Sequence, residues 1–192
     1  MREMRVFIAV ELTESIKEEL AQLQESLRGT GDKIKWVDSS LIHLTLKFLG
    51  EIREEGLKKV LQASREVAVK SSSFRIKIKE TGVFPDSPSP RVIWVGVEER
   101  ENNLETLVNQ LEEELARQGF AKERRKWIPH LTLGRVKVLK KKGKLRELVL
   151  SHKGLEGGEM EVRSISVIES RLTPKGPIYT LLERIPLIRR QR

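Results

Sequence analysis

His130-Leu131-Thr132-Leu133-Gly134-Arg135 is a six-residue stretch whose first four residues occur once before, as His43-Leu44-Thr45-Leu46. In an extended strand successive side chains point to opposite faces, so the His and Thr of each tetrapeptide share one face and the two Leu share the other. Each strand can anchor its leucines in a core and present an imidazole beside a hydroxyl on the opposite side. The chain holds three histidines, and two of them sit in this same context.

The two histidines lie 87 positions apart, close to half of the 192 residues, and the same offset aligns more than the motifs. It sets Ile93-Trp94-Val95-Gly96-Val97-Glu98 over Val6-Phe7-Ile8-Ala9-Val10-Glu11, apolar on apolar, small on small and Glu on Glu. It also brings the helical pattern near Lys140 over that near Arg53, and the strand pattern near Val162 over that near Arg75. The order strand, helix, motif strand, helix, strand therefore occurs twice. This predicts an α+β fold of two lobes related by a pseudo-two-fold, with antiparallel sheets flanked by helices and a central groove that receives one His-x-Thr strand from each side. The expected organisation is a single bilobal domain over 1–192, with approximate repeats 5–84 and 91–171 and a C-terminal strand 178–186.

Local patterns support that frame. Val6 to Val10 is a continuous apolar run, the signature of a strand buried on both faces. Ile16, Leu20, Leu23 and Leu27 recur on one helical face, with Thr13 or Ser15 as cap, Ser15 and Glu18 as a capping box, and Gly29 as stop. Further helices are predicted over about Arg53 to Val69, Asn102 to Arg117 with Gly119 as stop, and Lys140 to about His152. Strands are predicted over Leu41 to Leu49 (ended by Gly50), Phe74 to Ile78, Arg91 to Val97, His130 to Val138, Val162 to Ile168 and Tyr179 to Ile185. Pro85, Pro88 and Pro90 make the middle of the chain a loop.

Composition narrows the partners. A formal charge of +9 and a pI near 9.8 favour a phosphate-rich ligand or an anionic surface. A surface with 34% charged residues also fits a thermophile whatever the ligand. There is no cysteine, which removes disulfides, thiol catalysis and thiolate metal sites. The apolar run after Met1 is too short for a signal peptide, and no run reaches membrane-spanning length, so the reading is cytoplasmic with no membrane partner.

Two imidazoles across a groove suit a reaction that removes a proton from one oxygen and delivers one to another. Near their ordinary pKa of about 6.5, one is readily neutral while the other is charged. An in-line displacement at a phosphodiester has this symmetry. Thr45 and Thr132 are placed to donate hydrogen bonds to non-bridging phosphate oxygens. Arg135, five residues past His130, falls on the opposite face of a regular strand, so its use at a phosphate requires a bulge or bend at Gly134.

The contexts His43-Leu44-Thr45-Leu46-Lys47-Phe48-Leu49-Gly50 and Pro129-His130-Leu131-Thr132-Leu133-Gly134-Arg135 resemble the 2H phosphoesterase superfamily, and within it the RNA 2',3'-cyclic phosphodiesterases, also called bacterial and archaeal 2'-5' RNA ligases. Arg5 to Val10, Gly82-Val83-Phe84-Pro85, Val92 to Gly96 and Leu172 to Tyr179 extend the likeness over nearly the whole chain. The resemblance implies hydrolysis of an RNA 2',3'-cyclic phosphate to a 2'-phosphomonoester, with ATP-independent 2'-5' ligation as the reverse-type reaction. It implies no metal and no organic cofactor, an RNA end (tRNA fragments included) as partner, and no obligate protein partner. Carried onto matching positions, His43 is the general acid, His130 the general base, and Thr45, Thr132 and Arg135 hold the phosphate.

Other readings stand beside it: a metallohydrolase with ligands converging from afar, a non-catalytic RNA-binding module, or a 2H enzyme for another cyclic phosphate. His152 reads as structural. Phe48, Trp127 and Tyr179 are each either base-stacking or core residues. Glu123-Arg124-Arg125-Lys126 and Lys140-Lys141-Lys142-Gly143-Lys144 are either a track for RNA phosphates or solvated ends. The tail Arg189-Arg190-Gln191-Arg192 is given no role.

Overall fold

The structure is a computed structural model that describes residues 2–174 and 176–189, so the end of the basic tail, 190–192, lies outside the described residues. Its elements are β1 (Met4–Glu11), α1 (Glu14–Ser26), β2 (Lys33–Trp36), β3 (His43–Ile52), α2 (Glu54–Ala68), β4 (Phe74–Phe84), β5 (Val92–Glu98), α3 (Asn103–Arg117), β6 (His130–Val138), α4 (Lys144–Ser151), β7 (Glu156–Val162), β8 (Ser164–Thr173) and β9 (Gly176–Pro186). They form two antiparallel sheets, one in the order β3-β1-β8-β9 and the other β2-β6-β5-β4-β7. The first sheet is covered by α2 and α3, and the second by α1 and α4.

The apolar run in β1 behaves as its sequence predicts. Val6, Ile8 and Val10 enter the main core, while Phe7 and Ala9 join Ile168 and Tyr179 in a small cluster on the opposite face. That second face is the one that carries His43, because β1 and β3 pair with Ala9 beside Thr45 and Glu11 beside His43. The floor of the motif is thus apolar and close-packed, which holds the imidazole in one orientation.

The halves are not the lobes. The strand order β3-β1-β8 in one sheet corresponds, at the 87-residue offset, to β6-β5-β4 in the other, so each half gives its last strand to the other half's first strand. The helices follow the same exchange, since α1 covers the sheet built around β5 and β6, and α3 covers the sheet built around β1 and β3. Hydrophobic periodicity marks strands but does not say which neighbour a strand pairs with.

Several boundaries differ from the sequence reading. α1 starts without the Ser15/Glu18 capping box: Thr13 occupies the cap and its hydroxyl meets the Ser15 hydroxyl at 3.2 Å instead of a backbone N–H. The chain continues past Gly29 through a 3-10 turn at Leu27–Thr30, and Gly31, at φ 72°, supplies the left-handed stop. Gly50 does not end β3. Its φ of 73° lies within the strand, which runs to Ile52. The strand predicted over Val162 to Ile168 is two strands that meet at Arg163, and β7, with Gly157 and Gly158 and alternating charge, carries no clear strand pattern. The helix predicted from Lys140 begins only at Lys144.

Candidate functional site

The sequence places His43 and Thr45 on one face of β3, and the structure agrees: Leu44 and Leu46 are buried while His43 and Thr45 are half-buried on the other side. β6 repeats the arrangement with Leu131 and Leu133 inside and His130 and Thr132 outside. β3 and β6 are adjacent where the two sheets meet, and Trp127 Nε1, just before β6, donates to the Thr45 carbonyl at 3.2 Å.

Each imidazole is tied down in the same way. His43 Nδ1–H donates to the Leu41 carbonyl at 2.8 Å, and His130 Nδ1–H donates to the Ile128 carbonyl at 2.7 Å. Leu41 and Ile128 are themselves 87 residues apart, so the duplication reproduces the anchor as well as the motif. With Nδ1 committed to a carbonyl, Nε2 is the nitrogen left for proton transfer in both rings.

The rings stand in different surroundings. His43 stacks on Phe7 with centroids 4.7 Å apart and meets the edge of Tyr179 at 5.3 Å. Burial in this sandwich pushes its pKa down, partly opposed by the Leu41 carbonyl and the nearby charge of Glu11. Glu11 is held as a carboxylate: burial acts to raise its pKa, but the Ser166 hydroxyl and the Arg184 guanidinium together bring it below the usual value. His130 meets the edge of Phe84 at 5.2 Å, and Phe84 in turn stacks on Trp94 at 5.0 Å. The Trp94 ring lies over Gly82, where a Cβ would come within 2.1 Å of the indole, so that position admits only glycine.

Arg135 reaches the histidine face because β6 is bulged. Ile93 pairs with Gly134 and Trp94 with Thr132, which leaves Leu133 as the extra residue and flips the alternation beyond it. The bulge sits one residue earlier than expected. Gly134 itself serves packing, since a Cβ there would lie 2.8 Å from Ile34 and 3.0 Å from Trp36. β3 carries the matching bulge at Leu46, between Thr45 and Lys47, and so puts exposed Phe48 where the other lobe has Arg135. Tyr179 joins the two sides: burial raises its pKa, while the charges of Arg135 and Arg5 act on its hydroxyl in the opposite sense.

The doubling seen in this geometry recurs among known proteins. The LigT like Phosphoesterase family model matches the chain twice, over residues 10–94 and 95–179. The chain belongs to the LigT-like phosphoesterase family. An RNA 2',3'-cyclic phosphodiesterase of Methanocaldococcus jannaschii is 41% identical over 180 residues, covering 94% of this chain and 99% of the relative. A protein of the same name from Methanothermobacter thermautotrophicus is 37% identical over 179 residues, 93% of this chain and 96% of its own. The crystal structure of TT0787 of Thermus thermophilus superposes with a TM-score of 0.82 at 31% identity, covering 96% of this chain and 98% of that one. Escherichia coli LigT complexed with 3'-AMP shares the fold, with a TM-score of 0.78 at 24% identity over 97% and 99% of the two chains.

The LigT-like frame sorts the remaining sequence expectations. His152 lies at the end of α4, its Nδ1 against the Leu148 carbonyl at 3.0 Å and its Nε2 3.2 Å from the Ser26 hydroxyl. Of the three aromatics considered for stacking, Trp127 packs against the core, Tyr179 braces His43, and Phe48 is 61% exposed. Sequence reasoning missed Phe7 and Phe84 as partners of the imidazoles and Trp94 as the ring that backs Phe84, although Phe7 and Trp94 stand 87 residues apart in the aligned strands. Among the described residues no three His, Asp or Glu side chains converge as a metal cluster, and no helix is long and apolar enough to cross a membrane. A depression along the other end of β4 is lined by Arg75, Lys77, Glu98 and Glu159, whose charges pair with one another or with Lys79.

Proposed function

We propose that the protein hydrolyses RNA 2',3'-cyclic phosphate ends to 2'-phosphomonoesters, the activity in the names of its curated relatives, and that it acts without a metal. The observation that carries this reading is the matched pair of imidazoles, each fixed through Nδ1 to a backbone carbonyl and each beside a threonine hydroxyl. In this reading His130 Nε2 takes a proton from water as the water oxygen bonds to phosphorus. The bond from phosphorus to the 3' oxygen breaks in line, and His43 Nε2 delivers its proton to that oxygen, leaving a 2'-phosphate and a 3'-hydroxyl. Thr45 and Thr132 donate to the non-bridging oxygens, and Arg135 neutralises charge that accumulates on them. With the 5'-hydroxyl of a second RNA in place of water as the nucleophile, the bond from phosphorus to the 5' oxygen forms as that to the 3' oxygen breaks, and the same site joins the ends through a 2'-5' linkage.

Burial disfavours the protonated His43 that the acid role needs, and the incoming phosphate anion restores it. The working unit in this proposal is the single bilobal domain with repeats 5–84 and 91–171, an RNA end as its partner and the cytoplasm as its location. The test is incubation, with EDTA present, of an RNA ending in 2',3'-cyclic phosphate with wild type, His43→Ala and His130→Ala. A 2'-phosphate product lost in both variants supports the mechanism. Turnover that survives both substitutions, or that EDTA abolishes, overturns it.

A further inference from the structure

The segment between α3 and β6 runs along the open edge of β3, which pairs with β1 on one side only. Three contacts strap it there. Lys47 Nζ, on a residue only 7% exposed, donates to the Ala121 carbonyl and to the Glu112 carboxylate, both at 2.8 Å. The same Glu112 carboxylate accepts the Glu123 backbone N–H at 3.1 Å. Trp127 then closes onto the Thr45 carbonyl, one residue from the motif leucines. An edge strand left bare is an invitation to pair with another chain, and here the Trp127 indole occupies the Thr45 carbonyl.

Between the straps the chain turns outward. Glu123 accepts the backbone N–H groups of Arg124 and Arg125 at 2.9 and 3.0 Å, which fixes the turn. Arg124, Arg125 and Lys126 all project into solvent, and among the described residues no carboxylate lies within 4 Å of their charged nitrogens. The neighbouring acids are engaged: Glu112 by Lys47, Glu113 by Lys122, and Glu123 by the turn. Other cations, such as Lys35, Lys137 and Lys141, also have no carboxylate within 4 Å among the described residues; what marks these three is their place, on a braced turn that Trp127 fastens to β3 beside its motif.

We infer that Arg124, Arg125 and Lys126 form a phosphate-binding ridge for the single-stranded RNA backbone upstream of the cyclic end. The inference rests on the proposed reaction and adds to it the recognition of more than the terminal nucleotide. A ridge of three cations fixed at the rim of the groove meets the phosphates that precede the one held between His43 and His130. Counterion release then makes binding salt-dependent, with about 0.7 of a log unit per phosphate contact for single strands, or about 2 for three contacts.

The experiment measures binding and turnover separately. Binding of a labelled ten-nucleotide RNA ending in 2',3'-cyclic phosphate is followed by fluorescence anisotropy at several salt concentrations, for wild type and for Arg124→Ser/Arg125→Ser/Lys126→Ser. Turnover is followed on that RNA and on a mononucleoside 2',3'-cyclic phosphate, which has no upstream phosphate. The expected result is a salt slope smaller by about 2 in the variant and an affinity lower by tenfold or more near 0.1 M salt, with the mononucleotide hydrolysed as by wild type. Equal salt slopes overturn the inference, whether or not the RNA end is hydrolysed. Loss of mononucleotide turnover in the variant also overturns it, because the turn then acts by supporting His130. RNA binding with the expected slopes but no hydrolysis of either compound by wild type leaves the ridge standing and removes the proposed reaction.

Discussion

His43 is held between Phe7 and Tyr179, and that packing sets its proton affinity below that of a solvated imidazole. Two consequences follow for pH. The unfolded chain takes up this proton before the folded one, so stability on this account is complete above about pH 6.5 and is lost as pH falls toward the depressed folded value. Urea titrations between pH 5 and 8 should show that dependence in wild type and less of it in His43→Gln. Glu11 works in the opposite direction, since its charge holds the His43 pKa up. Glu11→Gln should therefore move the alkaline limb of kcat/KM to lower pH, whereas an unmoved profile would show that Glu11 acts only on structure. Phe48 is the aromatic open to a base, on the histidine face of β3 and 5.9 Å from the Phe7 ring. Stacking of this kind is worth about 1–3 kcal/mol per base, so Phe48→Ala should raise KM for a nucleoside cyclic phosphate about tenfold. A ribose cyclic phosphate without a base should show no such change. The histidines, threonines and leucines of these strands were legible because a period of two states which face each occupies. The aromatic partners of the imidazoles were not, because Phe7 and Phe84 come from other strands and only pairing brings them near.

β3 and β6 show what strand patterning conveys and what it hides. Alternation predicts the buried leucines, and Leu131→Ala, at a site with no exposure, should cost about 2–5 kcal/mol in denaturant unfolding. Neither bulge is written in hydrophobic alternation, since Leu133-Gly134 and Leu46-Lys47 read locally as ordinary strand. Their effect is large, because they turn Arg135 and Phe48 toward the histidines and turn Lys47 inward. Lys47 looks like a surface residue in sequence, yet its ammonium is buried against Glu112 and the Ala121 carbonyl. Removing one partner of such a pair leaves the other uncompensated, and Lys47→Ala should lose about 3–5 kcal/mol of stability. It should also loosen the segment that delivers His130, read as faster hydrogen exchange over residues 118–129. A double substitution of Lys47 and Glu112 by apolar residues should recover much of the stability without restoring the strap.

At the scale of the whole chain, the exchange of strands decides how the protein folds and fails. The repeat was visible in sequence because duplicated motifs keep their spacing, but the exchange was not, because a strand that pairs with its own half and one that pairs with the other half have the same pattern. In the structure β4 lies against β5 and β7, and β8 lies against β1 and β9, so neither half can complete its own sheet. The loop between β4 and β5 is the natural place to cut, since 85–91 carries no regular strand or helix and Pro85, Pro88 and Pro90 keep it out of either sheet. Residues 1–88 alone would expose one edge of β1, both edges of β4 and the apolar faces of α1 and α2. Such a fragment lacks the packing that stabilises either element, and it should lack near-ultraviolet circular dichroism and aggregate. Co-expression with residues 89–192 should restore a one-to-one complex with both histidine strands in place, because every sheet then regains its central partner. In the intact chain, unfolding followed by tryptophan fluorescence and by far-ultraviolet circular dichroism should coincide in one transition. With Trp127→Phe in place, Trp36 and Trp94 report on one sheet while helix content reports on both, so two separated transitions would mean that the lobes fold independently despite the exchanged strands.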